Sequence, residues 1–240
     1  GDLFTVGGAA RAQANLGVTN ASTAQTTANA ANSRLDAAIA SGQSLVSNPG
    51  FEDTAQWTTH GTYNTTIKRT GLRSMQVVGT GGQRFVNLVV TRTGDGQITQ
   101  SGGGRTYYVE VWVYGDNANT LTGAGTHVGI GVWGYDVGLG YVTSSAGSLY
   151  ASAATIGKNS WVKLSGTVTT ATNATIASVR PMIYVTPDVP AGNTFYFDDP
   201  VAIDVTEAVA ADLKAQATID SIVQAVDGGS ATGATAATTK

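Results

Sequence analysis

Cysteine is absent from the 240 residues, histidine occurs twice, and charged residues make up only 12%. The first absence removes disulfides, zinc-thiolate sites and cysteine nucleophiles, so any metal must sit on oxygen or histidine, and no redox compartment can be read from the chain. The formal net charge of -3 offers no broad positive field, so neither nucleic acid nor an anionic membrane is an expected partner. No apolar run approaches the roughly 20 residues that span a bilayer, so no membrane insertion is expected. Gly1 to Val18 lacks a basic stretch followed by an apolar one, so the chain as it stands is expected to carry no export signal. Catalytic groups are equally thin. His60 and His127 stand far apart in sequence, no serine occupies a Gly-x-Ser-x-Gly elbow, and Asp95, Glu110, Asp116 and Asp136 read as turn or surface acids. Gly102-Gly103-Gly104 and Gly129-x-Gly131 lack the Lys-Ser/Thr and following helix of a phosphate loop. No enzymatic activity is expected.

What is abundant is small and apolar: 42% hydrophobic residues and 31 glycines, enough for one sandwich core with helical extensions. Turn signals recur at Gly79 to Gly82, Ser101 to Gly104, Gly115-Asp116-Asn117 and Pro187 to Asn193, which favours an antiparallel sandwich over an α/β fold. Strands are expected around Ile67, Ser74 to Val78, Arg84 to Thr91, Thr106 to Tyr114, Thr126 to Tyr135, Ser160 to Thr169, Ile176 to Val185 and Thr194 to Asp204. Strand alternation sends Val109, Val111 and Val113 one way, into the core, and Tyr108, Glu110, Trp112 and Tyr114 the other. Val128, Ile130 and Val132 form a second core row, leaving His127, Gly129, Gly131, Trp133 and Tyr135 opposite, where the two glycines leave room. Ser178, Arg180, Met182 and Tyr184 make a third outward row, and the three rows are expected on one concave sheet. Trp57 and Trp161 read as core or rim packing.

Several motifs stand in order along this stretch. Asn48-Pro49-Gly50-Phe51-Glu52 opens it and Phe195-Tyr196-Phe197-Asp198-Asp199-Pro200 closes it. Between them lie Gly71-Leu72-Arg73-Ser74-Met75-Gln76-Val77, Tyr108 to Val113, and Trp161 to Val168. The set resembles the carbohydrate-binding-module jelly rolls of the CBM4, CBM9 and CBM22 type over about two-thirds of the chain. The resemblance implies a mainly β, antiparallel jelly-roll sandwich. It also implies a structural calcium between the first strand, the Gly71 motif and the last strand, where Glu52 and Asp198 match the acidic positions. Calcium takes hard oxygen ligands, which two carboxylates and nearby carbonyls would supply; the alternative is that both acids pair with Arg69 or Arg73. Sugars present apolar faces and directional hydroxyls, so Glu110, Trp112, Tyr114, His127, Trp133, Tyr135, Arg180 and Tyr184 are the candidate glycan contacts. The competing reading packs these aromatics under a loop or at a subunit interface.

Helical segments flank the sandwich. Residues 1–18 read as a docking peptide with a short helix from Ala9 to Leu16, stopped by Gly17, and the run Ala10 to Gly17 is similar to segments near the start of phage fibre proteins. In 19–43, Ala21, Ala24, Ala28, Ala31, Leu35 and Ala38 follow the three-and-four spacing of a coiled coil. Ala also falls off this register at Ala30 and Ala37, so a chance match is the alternative. Residues 44–205 form the sandwich; 206–228 form an amphipathic helix capped by Thr206, with Ala208, Val209, Leu213, Ile219, Ile222, Val223 and Val226 on one face; 229–240 are a polar tail. Together these features lead to the expectation of a self-associating phage virion protein: a fibre, minor tail or capsid-decorating component. It would form a homotrimer, contact other virion proteins through its N-terminus and display a module for cell-surface glycans. The alternatives are an accessory carbohydrate-binding module of a secreted glycoside hydrolase, and a purely architectural sandwich.

Overall fold

The computed structural model describes residues 2–42, 44–46, 48–55, 57–88, 98–99, 103–116, 118–120, 127–143, 146–152, 155–156, 158–217 and 220. The chain divides into two compact units, Gly42–Val205 and the pair of segments Gly1–Ser41 and Thr206–Lys240.

The first unit is an antiparallel β-sandwich. Its described strands are β1 (Trp57–Thr59), β2 (Thr62–Asn64), β3 (Ser74–Val78), β4 (Arg84–Leu88), β5 (Ile98–Thr99), β6 (Thr106–Gly115), β7 (Val128–Tyr135), β8 (Gly147–Ala151), β9 (Trp161–Thr169), β10 (Ser178–Val185) and β11 (Thr194–Asp204). One sheet runs β1-β4-β10-β7-β8 with β5 also on β10, and the other runs β2-β3-β11-β6-β9. Consecutive strands β6 and β7 therefore lie in opposite sheets, and their apolar rows meet in the interior. Val109, Val111, Val113, Val128, Ile130 and Val132 are all 2% exposed or less, as the alternation predicts. Each such side chain contributes roughly 1.5–3 kcal/mol relative to exposure.

The opening motif is a compact loop. The Asn48 side chain accepts from the amides of Glu52 (3.0 Å) and Asp53 (3.4 Å) and donates to the Asp53 carbonyl (2.8 Å). This holds Phe51 at φ 55° and drives its ring into the core, 4.8 Å from Trp57. Trp57 in turn donates its indole N–H to the Asn48 carbonyl (3.1 Å). The chain enters and leaves the sandwich side by side, for the Leu45 amide bonds the Ala202 carbonyl at 2.7 Å.

Ile67 is not in a strand. Asn64 Oδ1 accepts from the Thr66 and Ile67 amides at 2.9 and 2.7 Å, and this side-chain turn replaces a ladder. Strands β1, β2, β5 and β8 are not among the strands expected from the sequence, being two to five residues long, and β8 (GSLYA) carries little β-branched character.

In the second unit, α1 (Asp2–Ser41) is one 40-residue helix. The expected break at Gly17 does not occur, and Gly7, Gly8 and Gly17 all keep negative φ. A glycine within a helix costs about 1 kcal/mol, and the Ala-rich run Ala9 to Leu16 ahead of Gly17 favours helix. Ala21, Ala24 and Ala28 are exposed, whereas Ala31, Leu35 and Ala38 are half-buried within the single chain. A second helix, α2 (206–217), is tied to α1 by the Arg34–Asp212 ion pair. Ala208 and Val209 are half-buried and Leu213 is exposed, while Ile219, Ile222, Val223 and Val226 lie outside the described residues. No described helix is long and apolar enough to cross a membrane.

Candidate functional site

The expected single ligand face is divided between the two sides of the sandwich. Strand β6 pairs with β11 and β9, so Glu110, Trp112 and Tyr114 lie on the outer face of one sheet. Strand β7 pairs with β10 and β8, so Trp133, Tyr135, Arg180 and Tyr184 lie on the outer face of the other, with His127 just ahead of β7. Alternation identifies which side chains point outward but not which sheet a strand joins, and a crossover between β6 and β7 separated the two sets.

On the β7–β10 face, Arg180 sits across the ladder from Trp133, and Tyr184 from Gly129. The Tyr184 ring fills the space over Gly129, where a Cβ would come within 2.6 Å of it, and Ser148 does the same at Gly131 (2.8 Å). The room that the glycines leave is thus occupied by neighbouring side chains. The result is a continuous aromatic floor. Trp133 packs edge-on to Phe85 (5.4 Å between centroids), against Tyr141 (4.9 Å) and against Tyr184 (6.0 Å), while Tyr150 meets Tyr184 edge-on at 5.1 Å. Most of this floor is covered, and His127, Tyr135, Arg180 and Tyr184 are all under 9% exposed. Two aromatics remain open, Tyr141 at 44% and Tyr150 at 46%.

Neither Tyr141 nor Tyr150 was among the sequence candidates. Tyr150 stands in the weak strand β8. Tyr141 ends the 136–141 loop, which Asp136 organises by accepting from the Gly138 and Gly140 amides, both at 2.8 Å, with Leu139 at φ 67°. The Asp-x-Gly-x-Gly pattern before Tyr141 was the available signal.

The floor is rich in unmet polar groups. His127 Nδ1, Trp133 Nε1, Arg180 Nε and the Tyr184 hydroxyl are buried without a hydrogen-bond partner. Ser148 and Tyr150 lie beside the Tyr184 hydroxyl but do not bond it with acceptable geometry. Burial pushes that hydroxyl well above the ordinary tyrosine range, so it stays protonated and able to donate. Burial also raises Tyr135, and outweighs the opposing pull of the Arg180 guanidinium stacked 4.1 Å over its ring.

The β6 face is of the opposite kind. Arg69 lies 3.9 Å over the Trp112 ring and pairs with Asp199, which covers the indole. Glu110 accepts from the Tyr108 hydroxyl at 2.6 Å and from Lys163 at 3.4 Å. The Tyr114 hydroxyl donates to Asn159 (3.1 Å), and its ring packs on Trp161 (5.5 Å) and Tyr196 (5.7 Å).

Glu52 and Asp198 converge on one loop. Glu52 Oε1 accepts from the Leu72 amide (2.6 Å), and Asp198 Oδ2 accepts from the Arg69 (2.8 Å) and Thr70 (3.2 Å) amides. Gly71, at φ 56°, has no space for a Cβ, which would collide with Glu52 Oε1. Asp198 is completely buried, and burial lifts its pKa to about 6 against the pull of the amide donors. Two carboxylates on one loop suit a hard divalent cation in charge and ligand type. Among the described residues, however, no three acidic or histidine side chains gather as a metal cage, so most of the roughly six to eight oxygens calcium takes would have to be carbonyls or water. Arg69 pairs with Asp199, and Arg73 reaches the Glu52 carbonyl at 3.3 Å rather than its carboxylate.

No protein-family model matches the sequence, and no curated protein matches it. Among solved structures, the chain is similar to the CBM22-1 xylan-binding domain of Paenibacillus barcinonensis Xyn10C, at 16% identity and TM-score 0.43, over 69% of this chain and 96% of that one. It is also similar to the CBM22-2 xylan-binding domain of the same protein (18% identity, TM-score 0.38, 65% of this chain and 97% of that one). A third likeness is to a CBM4 domain, at 16% identity and TM-score 0.37, covering 64% and 98%.

Proposed function

We propose that the sandwich is a non-catalytic glycan-binding module and that the β7–β10 face is its binding surface. The observation that carries this reading is the pairing of two open aromatics, Tyr141 and Tyr150, with buried donors that the protein leaves unmet. Rings at the rim stack on the apolar faces of sugar rings, and donors below them bond hydroxyls. Trp133, Tyr135, Arg180 and Tyr184 then form the floor beneath the rim, and Glu110, Trp112 and Tyr114 take no part. A glycan array tests this directly. Specific hits that vanish in the Tyr141→Ala/Tyr150→Ala double variant, with Trp112→Ala unchanged, support it; an array with no hits ends it.

The module is carried, in the same proposal, by a chain that self-associates through its helices as a virion surface component. A 40-residue helix, about 60 Å long, made mostly of exposed small residues is marginal as a lone helix in water. Further copies, three in the preferred arrangement, would bury the stripe Ala21, Ala24 and Ala28 and extend it through Ala31, Leu35 and Ala38. Size-exclusion chromatography with light scattering should give three chain masses. One chain mass would favour the accessory module of a secreted glycoside hydrolase instead.

A structural calcium belongs to the same proposal, with Glu52 and Asp198 as its carboxylate ligands and no part in ligand binding. Calcium should raise the melting temperature of the chelator-treated protein, and Glu52→Gln should abolish that rise.

A further inference from the structure

The charge pairing of the sandwich is lopsided. On the β6–β11 sheet, Arg69 pairs with Asp199, Arg105 with Asp204 and Lys163 with Glu110. On the other face Arg180 is 8% exposed and belongs to none of the ion pairs among the described residues. Its Nε–H has no acceptor, and its guanidinium lies on the Tyr135 ring instead. The carboxylate of the adjoining 136–141 loop, Asp136, is engaged by the amides of Gly138 and Gly140.

A buried cation without a counter-charge is costly, more so than an unmet neutral donor, because a water molecule can bond the donor but cannot neutralise the charge. Trp133 Nε1 and the Tyr184 hydroxyl add two more groups that donate on the same sheet face. A face that, among the described residues, carries a guanidinium with no carboxylate partner complements an anion. Guanidinium binds carboxylates and other oxyanions through two parallel N–H groups, which adds energy and geometric specificity that a single hydroxyl acceptor does not supply.

We propose that the ligand is an acidic glycan, and that Arg180 takes its anionic group while Tyr141 and Tyr150 stack on its sugar rings. The proposal rests on the glycan reading of this face and goes beyond it in naming the chemical class. Neutral chains such as unsubstituted xylan or glucan would leave the guanidinium unpaired and are poor ligands for this site.

The experiment uses the full chain on an array of uronate-containing oligosaccharides, each paired with its carboxyl-reduced form, together with sulfated and neutral oligosaccharides. Binding confined to acidic chains, lost on carboxyl reduction and weakening as salt rises, is the expected result. The uronate and sulfate arms show which anion is the source. Arg180→Met should weaken acidic-chain binding by about ten-fold or more. Because it removes an unpaired buried charge while keeping an apolar stem, the same variant should leave the melting temperature unchanged or raised.

A melting temperature several degrees lower in Arg180→Met would show that the guanidinium serves the protein's own network, and would overturn the inference. Equal binding of reduced and unreduced chains would overturn it too, while leaving the glycan reading intact. An array with no hits at all would overturn both.

Discussion

The two outer faces of the sandwich carry nearly the same residue types and have opposite character. Around β6, every outward polar group described above has a partner: Arg69 covers Trp112 and pairs with Asp199, Glu110 holds Tyr108 and Lys163, and Tyr114 bonds Asn159. Around β7 and β10, the side chains are more deeply buried and yet Trp133, Arg180 and Tyr184 lack partners. Aromatic and charged composition alone therefore does not tell the two faces apart. The distinguishing property is whether the protein satisfies those groups itself, since an unmet buried donor costs about 1–3 kcal/mol and natural structures retain few of them.

The contrast can be broken at several points. The largest effect is expected from Gly129→Val, whose side chain would strike the Tyr184 ring and the Leu149 carbonyl, each 2.6 Å from the Cβ position. Overpacking of this kind should cost about 2–3 kcal/mol in chemical denaturation and abolish glycan binding with it. Next is the pH dependence set by Asp198. Its pKa in the folded protein, about 6, lies above the ordinary 3.8, so the folded state holds the proton more tightly than the unfolded one. Its contribution is therefore fully present below about pH 4 and is lost as pH rises through about 6. In chelator, the melting temperature of the wild type relative to Asp198→Asn should fall across that window; a bound calcium would favour the carboxylate and reverse the trend.

Arg69→Ala uncovers Trp112 and frees Asp199 from its ion pair. It should cost about 1 kcal/mol and leave glycan affinity unchanged, because the polar groups of this face are satisfied within the protein. The smallest stability change, under about 0.5 kcal/mol, is expected from Tyr150→Ala at the exposed rim. That variant should nevertheless weaken glycan binding several-fold by calorimetry. Unaltered affinity in Tyr150→Ala, with reduced affinity in Arg69→Ala, would exchange the roles of the two faces.

Much of the sandwich was legible in the chain because period-two alternation is local. Val109, Val111, Val113, Val128, Ile130 and Val132 are buried as their spacing demands. Sheet membership is not local, and nothing in the stretch between Tyr114 and His127 indicates that the chain crosses from one layer to the other. The candidate contacts consequently lie on two surfaces rather than one. The same limit applies to Gly129 and Gly131, whose missing side chains make room for Tyr184 and Ser148 through pairings between β7, β10 and β8. Tyr141 is not legible in the sequence because its position depends on a loop folding back over Trp133, a contact outside any strand register. The long helix is not legible either, because Gly17 has the form of a terminator, and whether it ends a helix depends on its flanks.

The hydrogen bond from the Leu45 amide to the Ala202 carbonyl brings the two ends of the sandwich to neighbouring positions. Adjacent ends make a domain easy to insert or excise, since the host chain need only be cut at one place. The sandwich can thus be regarded as a cassette spliced between residues 41 and 206, with the Arg34–Asp212 pair linking the host segments on either side. Another domain with equally adjacent ends would fit at the same place without redesign of the helices on either side.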